Sequence, residues 1–249
     1  MRFQGKVALV VGGTLGIGRA TAERLASEGA AVVTGGREPE ADVPGDVRDD
    51  GYAAALVAHA VERHGGLDVV VYSAGIQRYG TVETTEPETW DEVHAVNVRG
   101  AYLVGRAAVP ALRARGGGAI VLVSSVQATA SQTGVAAYAA SKGALSALAR
   151  TMALDHSGDG IRVNSVAPGS VDTPMLRWAA DHLANGRAAS ELLAEWGSVH
   201  PLGRVGAAEE VAELIAFLAS PRASFMTGGD YRVDGGLLAQ LGVSTRGHE

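Results

Sequence analysis

The chain has 249 residues, 47% of them hydrophobic and 19% charged, with a formal net charge of -6 and no cysteine. That length suits one α/β domain with a sizeable core, and so low a charge content argues against global disorder. The lack of clustered Lys and Arg disfavours a nucleic-acid partner, and without cysteine there are no disulfides, thiolate metal sites or cysteine nucleophiles. No apolar run approaches the ~18 residues of a membrane span, and the first residues lack a signal peptide's length and cleavage site, so a cytoplasmic protein is expected.

In chain order, short apolar runs alternate with helical patterns. Residues 6–11 read as a strand that enters a glycine-rich turn, and a helix follows over 16–27. A second strand is expected at 31–34. The stretch 37–46, rich in Pro, Gly and acid, reads as a loop with a minimal strand. A helix over 52–63 has Asp49 and Asp50 at its start and leads to a strand at 67–72. Helices at 100–114 and 135–156 and strands at 119–123 and 161–167 continue the alternation. Strands this uniformly apolar are buried on both faces, which predicts a doubly wound parallel sheet of about seven strands with helices on both sides. Residues 172–201, which hold Trp178 and Trp196, read as a lid over a site in a single domain spanning 1–249. A helix at 207–219 and a strand at 231–233 close the fold, and 242–249 read as a loose tail.

Two constellations carry chemistry. The first is the turn Gly12-Gly13-Thr14-Leu15-Gly16-Ile17-Gly18 between the first strand and the first helix. Glycines let a backbone approach a pyrophosphate, and a helix N-terminus offers free amides and partial positive charge. The end of the second strand bears on which dinucleotide binds. An acid there would bond the ribose hydroxyls of NAD, but the slot holds Gly36, and Arg37 follows. A guanidinium suits a 2′-phosphate, so NADP is favoured over NAD.

The second constellation is Tyr138 and Lys142, four residues apart on one helix and hence on one face. A free phenol titrates near ~10, and a neighbouring ammonium pulls that value toward working pH. A phenol tuned in this way can exchange a proton with a substrate oxygen.

These residues, met in order, make the chain resemble the short-chain dehydrogenase/reductase family along nearly its whole length. Gly12, Gly16 and Gly18 match the family's glycine motif, with Thr14, Leu15 and Ile17 in the same cofactor turn. Asp46-Val47 matches the pair that cradles adenine, and Ala74-Gly75 matches the close of the Asn-Asn-Ala-Gly run. Ser125, 13 residues before Tyr138, matches the catalytic serine, Asn97 the helix asparagine, and Tyr138 with Lys142 the Tyr-x-x-x-Lys. Pro168-Gly169 with Val171 and Thr173 matches the loop at the nicotinamide end, and residues 233–236 match the closing strand.

The resemblance implies hydride transfer between NAD(P) and a small carbonyl or secondary alcohol. In it Tyr138 is the general acid or base, Ser125 holds the substrate oxygen, and Lys142 tunes Tyr138 and bonds the nicotinamide ribose. Asn97 holds a water that feeds protons to Lys142. It also implies a homodimer or homotetramer, built through the helices at 100–114 and 135–156 and the C-terminal helix and strand. Enoyl reductases of related fold have a wider Tyr-to-Lys spacing than this chain. A binding protein without turnover, a sensor or scaffold for NADP, is the alternative.

Two departures stand out. Val11 replaces the usual Thr, and Tyr72-Ser73 replaces Asn-Asn; with both partners of a hydrogen bond gone, the pair can compensate cheaply. Candidate substrate contacts are Gln77, Gln127, Ser170 and Trp178, with Trp196 and Arg177 further candidates in the lid. No metal is expected, because the seven histidines show no ligand spacing.

Overall fold

The computed structural model describes residues 1–241; the expected tail at 242–249 lies outside them. Seven parallel strands form one sheet in the order β3-β2-β1-β4-β5-β6-β7. The strands are β1 (Val7–Val11), β2 (Ala31–Gly36), β3 (Val43–Pro44), β4 (Val69–Tyr72), β5 (Gly118–Val123), β6 (Ile161–Pro168) and β7 (Asp230–Val233). The helices are α1 (Gly16–Ser27), α2 (Tyr52–His64), α3 (Pro87–His94), α4 (Gly100–Ala114), α5 (Ala136–His156), α6 (Pro174–Leu183), α7 (Ala189–Ser198) and α8 (Ala208–Ala219).

The apolar runs divide by parity between two cores. Val7, Leu9 and Val11 of β1, Val70 and Tyr72 of β4, and Ile120 and Leu122 of β5 face α2, α4 and α5. Ala8 and Val10, Val69 and Val71, and Ala119, Val121 and Val123 face α1 and α8. This is the two-sided burial that a parallel sheet demands, with successive side chains on opposite faces.

β1 pairs with β2 on one side and β4 on the other. The chain winds outward from β1 through β2 to β3, then crosses back to β4 and winds the other way. The crevice at the carboxyl ends of β1 and β4 is therefore the switch point where such sheets bind ligands.

Several boundaries differ from expectation, each for a physical reason. β2 runs on to Gly36 because Gly35 and Gly36 still pair with Val43 and Pro44, and Gly35 O accepts from Gly12 N at 2.7 Å. A side chain at 35 would meet Leu56 of α2 at 2.6 Å. The helix at 100–114 begins much earlier than read, as a continuous rod from Pro87. Pro87 sits at the first helical positions with Glu88 in the first turn, which is a readable start signal. Residues Ala95–Arg99 form a single π-helical turn within that rod. The segment at 172–201 is two helices, α6 and α7, and Thr173 caps α6 by accepting from Leu176 N at 3.3 Å.

The two unusual residues beside the first turn find their own solution. Val11 lies opposite Tyr72 in the sheet, and both are buried. The Tyr72 hydroxyl donates to the Val96 carbonyl in the π-helical turn. The polar partner is thus a backbone oxygen on another element.

Close packing at the glycine turn gives a first test. A Cβ on Gly18 would lie 1.9 Å from Gly12 O, a collision of backbone with backbone that no rotamer relieves. Gly18→Ala is expected to destabilise by ~1–3 kcal/mol or more and to lower the thermal midpoint by several degrees, as calorimetry would measure.

Candidate active site

The turn after β1 is shaped by what cannot fit there. Gly12 adopts φ +75°, and a side chain on it would stand 2.6 Å from the Ala74 amide nitrogen. Gly16, at φ +50°, would meet Thr173 at 3.1 Å. The turn is thereby pressed against both the β4 exit and the loop after β6. It opens α1 without a side-chain cap, so the first amides of that helix are left to a ligand or water.

A cleft of ≈ 630 Å³ runs from this turn across the carboxyl edge of the sheet. Gly12, Thr14, Leu15, Gly16, Ile17, Arg37, Asp46, Val47, Ala74, Gly75, Pro168, Gly169, Val171 and Thr173 all line it. Gly18 does not; its part is to let α1 approach the Gly12 carbonyl. The cradle, the uncapped helix end and the length of the cleft fit a dinucleotide.

At the β2 end, Arg37 is exposed on the rim. Beside it the Glu38 carboxylate accepts from Thr14 Oγ1 at 2.6 Å, and that hydrogen bond, with Arg37 nearby, holds it below the usual carboxylate range. It lies 2.8 Å from where a Gly36 side chain would begin. An acid absent from position 36 is therefore present in space, supplied from position 38. Asp46 holds Arg48 in a bidentate pair with a 2.7 Å contact, which lowers its pKa.

At the other end of the cleft stand Ser125, Tyr138 and Lys142, each more than nine-tenths buried. A 3-10 turn, Val126–Ala128, fixes Ser125: its hydroxyl accepts from Gln127 N at 3.1 Å. The Lys142 ammonium lies 5.4 Å from the Tyr138 ring centroid and donates to Val123 O at 2.9 Å. Ser124 locks the strand end to α5 by donating to Lys142 O at 2.9 Å.

The electrostatics differ from the simple expectation of a phenol pulled down by its lysine. Burial pushes Tyr138 up to about 12, with the Ser125 hydrogen bond opposing it. Burial also lowers Lys142 to about 8. In so dry a cluster desolvation outweighs the attraction between neighbours.

Asn97 is placed otherwise than expected. Its side chain is wholly buried and does not line the cleft. Nδ2 donates to Ile76 O at 3.0 Å and to Ser141 Oγ at 2.9 Å, and Oδ1 accepts from Ile76 N at 2.8 Å. The amide clamps the loop after Ala74-Gly75 to α5.

Among the substrate candidates, Gln77, Gln127, Ser170 and Trp196 line the cleft. Trp178 does not: α6 turns Met175, Leu176 and Ala179 inward, while Trp178 stacks on His182 and on Tyr79 outside. Tyr79 is a further aromatic that lines the cavity, with Ser131 and Gln132, none of which the motifs marked. Arg177 is tied to Asp172 at 2.8 Å and points away from the cleft. His200, which the motifs also passed over, sits beneath the Pro168–Thr173 loop: Ser170 N donates to its Nε2 at 3.2 Å, and its Nδ1 lies 2.8 Å from Trp196 O. Among the described residues no cluster of His, Asp and Glu could hold a metal, and no helix is long and apolar enough to cross a membrane.

A glycine-built nucleotide turn, joined by one cleft to a buried Ser-Tyr-Lys cluster at the switch point of a parallel sheet, defines a dinucleotide-dependent oxidoreductase of the doubly wound class. The comparisons narrow the class. A family model described as enoyl-(acyl carrier protein) reductase matches residues 12–238. The cis-4-hydroxycyclohexanecarboxylate dehydrogenase of Sinomonas cyclohexanicum is 38% identical, covering 95% of this chain and 98% of that one. The inactive 2-(S)-hydroxypropyl-CoM dehydrogenase 2 of Xanthobacter autotrophicus is 42% identical over 88% of this chain and 91% of its own. The solved structure of the aldohexose dehydrogenase of Thermoplasma acidophilum superposes with a TM-score of 0.94 at 36% identity, covering 98% of both chains. The chain belongs to the short-chain dehydrogenase/reductase family.

The Asn97 clamp is testable by itself. Asn97→Ala strands the buried Ile76 amide and carbonyl and is expected to cost about 1–3 kcal/mol, visible as a lower denaturant midpoint with an unchanged m-value.

Proposed function

We propose that the protein is an NAD(P)-dependent oxidoreductase that interconverts a small carbonyl and its secondary alcohol, with Tyr138 as general acid and base. The observation that carries this reading is the joint burial of Ser125, Tyr138 and Lys142, with the Lys142 ammonium over the Tyr138 ring, at the far end of a cleft that starts at the glycine turn. A bound nicotinamide supplies or takes the hydride.

In reduction, Tyr138 donates its proton to the developing alkoxide while Ser125 Oγ–H steadies that oxygen. Gln127 N engages one lone pair of Ser125 Oγ, and the Ser125 proton is separate from that bond. In oxidation the roles reverse, and Tyr138 must first lose its proton. Lys142 favours that loss while it carries charge and, with Tyr138, would hold the nicotinamide ribose. The glycine turn would take the pyrophosphate, Asp46 and Val47 the adenine, and Pro168, Gly169, Val171 and Thr173 the nicotinamide end. Asn97 acts as a positioning residue in this scheme, setting the 74–76 loop against α5. The family model's description names an enoyl substrate; a four-residue Tyr-to-Lys spacing with a partnering serine favours carbonyl chemistry instead.

NADP remains the favoured cofactor, on the strength of Gly36 and the exposed Arg37 at the rim. Glu38 works against it, because a carboxylate held by Thr14 would face the 2′-phosphate. In this reading residues 172–201 act as a lid within one catalytic domain, and the chain assembles as a dimer or tetramer. Half-exposed Tyr102 on α4 and exposed Leu154 on α5 support those helices as the packing surface. The competing reading, a binder without turnover, draws support from the relative whose name begins with inactive.

Three outcomes test the proposal. Tyr138→Phe should lower kcat/KM about a thousandfold while cofactor affinity, read by fluorescence titration, moves less than about threefold; retained turnover would refute the role. Arg37→Asp should weaken NADPH binding about tenfold or more and NADH binding little, and Glu38→Gln should tighten NADPH several-fold; equal effects on both cofactors would remove the NADP assignment. The pH profile follows from the protonation states. Reduction needs the acid form of Tyr138, abundant when its pKa is high, so its rate should stay level through neutral pH and fall only in alkali. Oxidation needs the base form and should keep rising with pH toward about 12, and Lys142→Ala should slow it most below about pH 8, where the ammonium is charged.

A further inference from the structure

His200 is a buried polar side chain that the reaction scheme leaves unused. It is 3% exposed and does not line the cleft. It lies one layer behind, at a small cavity shared with Ser170, Asp234, Arg204 and Glu210. The end of helix α7, the Pro168–Thr173 loop and the segment after β7 all meet at its ring. A side chain on Gly169 would begin 2.8 Å from Nε2 and 3.0 Å from Asp234 Cα, so the loop is pressed directly onto the imidazole.

The two contacts of the ring fix its chemistry. Nδ1 lies 2.8 Å from Trp196 O. A carbonyl oxygen only accepts, so Nδ1 carries the proton. Nε2 is then a bare lone pair, and it accepts from Ser170 N at 3.2 Å. The rest of the loop is held by backbone: Gly169 N donates to Val233 O at 2.9 Å, Asp172 N to Gly206 O at 2.9 Å, and Gly206 N to Ser170 O at 2.8 Å. Among the described residues the Ser170 amide meets no peptide carbonyl, and the imidazole takes that place. The charged neighbours are engaged elsewhere. Asp234 accepts from Gly236 N and Leu238 N at 3.0 Å, and Arg204 and Glu210 hold each other at 2.7 Å.

We propose that His200 is a positioning residue for the dinucleotide: as the Nδ1–H tautomer it fastens the Ser170 amide to helix α7 and so sets the Pro168–Thr173 loop to receive the nicotinamide end. This rests on the oxidoreductase reading above, in which that loop takes the nicotinamide, and adds to it the residue that holds the loop in place. Ser170 and Trp196 both line the cleft, so a single ring relates the wall of the lid to the nicotinamide end of the site. Removing the ring leaves a buried donor and a buried acceptor unpaired. The loop is then released, while the adenine end, built on β2 and β3, keeps its own contacts.

Two measurements test this. Nitrogen-15 NMR of the histidine side chains near neutral pH should show His200 as the Nδ1–H tautomer, its resonances assigned by their loss in His200→Gln. Affinity is then read by fluorescence titration with NADPH and NADH, beside ADP-ribose and its 2′-phosphate, which lack nicotinamide. His200→Leu should weaken the dinucleotides about fivefold or more and the two fragments less than about twofold. His200→Gln keeps a donor and an acceptor and should stay within about threefold of the parent for all four ligands. An Nε2–H or charged His200, equal losses on dinucleotides and fragments, or unchanged dinucleotide affinity in His200→Leu would overturn the inference. Should His200→Leu not fold, the tautomer measured in the parent protein still decides. Dinucleotide binding that His200→Leu leaves unchanged would keep the oxidoreductase reading standing. Failure of the parent protein to bind either dinucleotide would count against both.

Discussion

The arrangement depends on how closely the backbone of the first turn is pressed against its neighbours. Gly12 donates to the Gly35 carbonyl at 2.7 Å, leaves no room for a side chain against Ala74, and has its own carbonyl in contact with Gly18. One residue thus ties β1 to β2, to the exit of β4 and to the start of α1. Because β1 is the pivot of the sheet, the same contacts bring the two windings together with a fixed crevice between them. Every group at the site is hung from that crevice: Arg37 and Glu38 from β2, Ala74 and Gly75 from β4, Ser125 from β5, and the Pro168–Thr173 loop from β6.

At the other end of the crevice the governing term is desolvation. Ser125, Tyr138 and Lys142 occupy a dry cluster in which neither phenolate nor ammonium is at ease, so Tyr138 rests protonated. The cluster is held by the Lys142 side chain donating to Val123 O and by Ser124 Oγ donating to Lys142 O, the second of which does not depend on charge. A site built this way stays in register whichever protonation state the reaction leaves behind, which suits a group that must alternate between acid and base.

The fold was legible because its signals are periodic or local. Uninterrupted apolar strands announced two-sided burial, and the glycine turn announced a close approach. What escaped was set by tertiary contact. Gly35 and Gly36 look like a loop and are strand, since pairing with Val43 and Pro44 overrides their weak propensity. The Pro87 start of the long helical rod carries its own N-terminal signal, Pro at the first helical positions with Glu88 in the first turn. At the site, motif spacing marked Ser125, Tyr138 and Lys142, which are buried together at one end of the cleft, but not that Asn97 spends its amide on Ile76 and Ser141. Nor could it show that Trp178 turns outward while Tyr79 turns in, or that Glu38 reaches back over Gly36. Those outcomes are decided by rotamers and by which neighbour is near, and no one-dimensional pattern encodes them.

Tyr72 has a consequence for how this sequence can change. Its hydroxyl fills the space a side chain at Gly100 would need, 2.3 Å from where a Cβ would begin. With a small residue at 72 the nearest obstacle to a side chain at 100 becomes Val47 at 3.1 Å, so a side chain there needs first that 72 shrink and then that Val47 give way. The two positions are therefore locked in order of substitution: 72 must move first, and in doing so it releases the Val96 carbonyl at the π-helical turn beside Asn97. Drift at a buried strand end is thereby coupled to the geometry of the loop beside Asn97, and a library randomising position 100 alone would meet the Tyr72 hydroxyl at every residue larger than glycine.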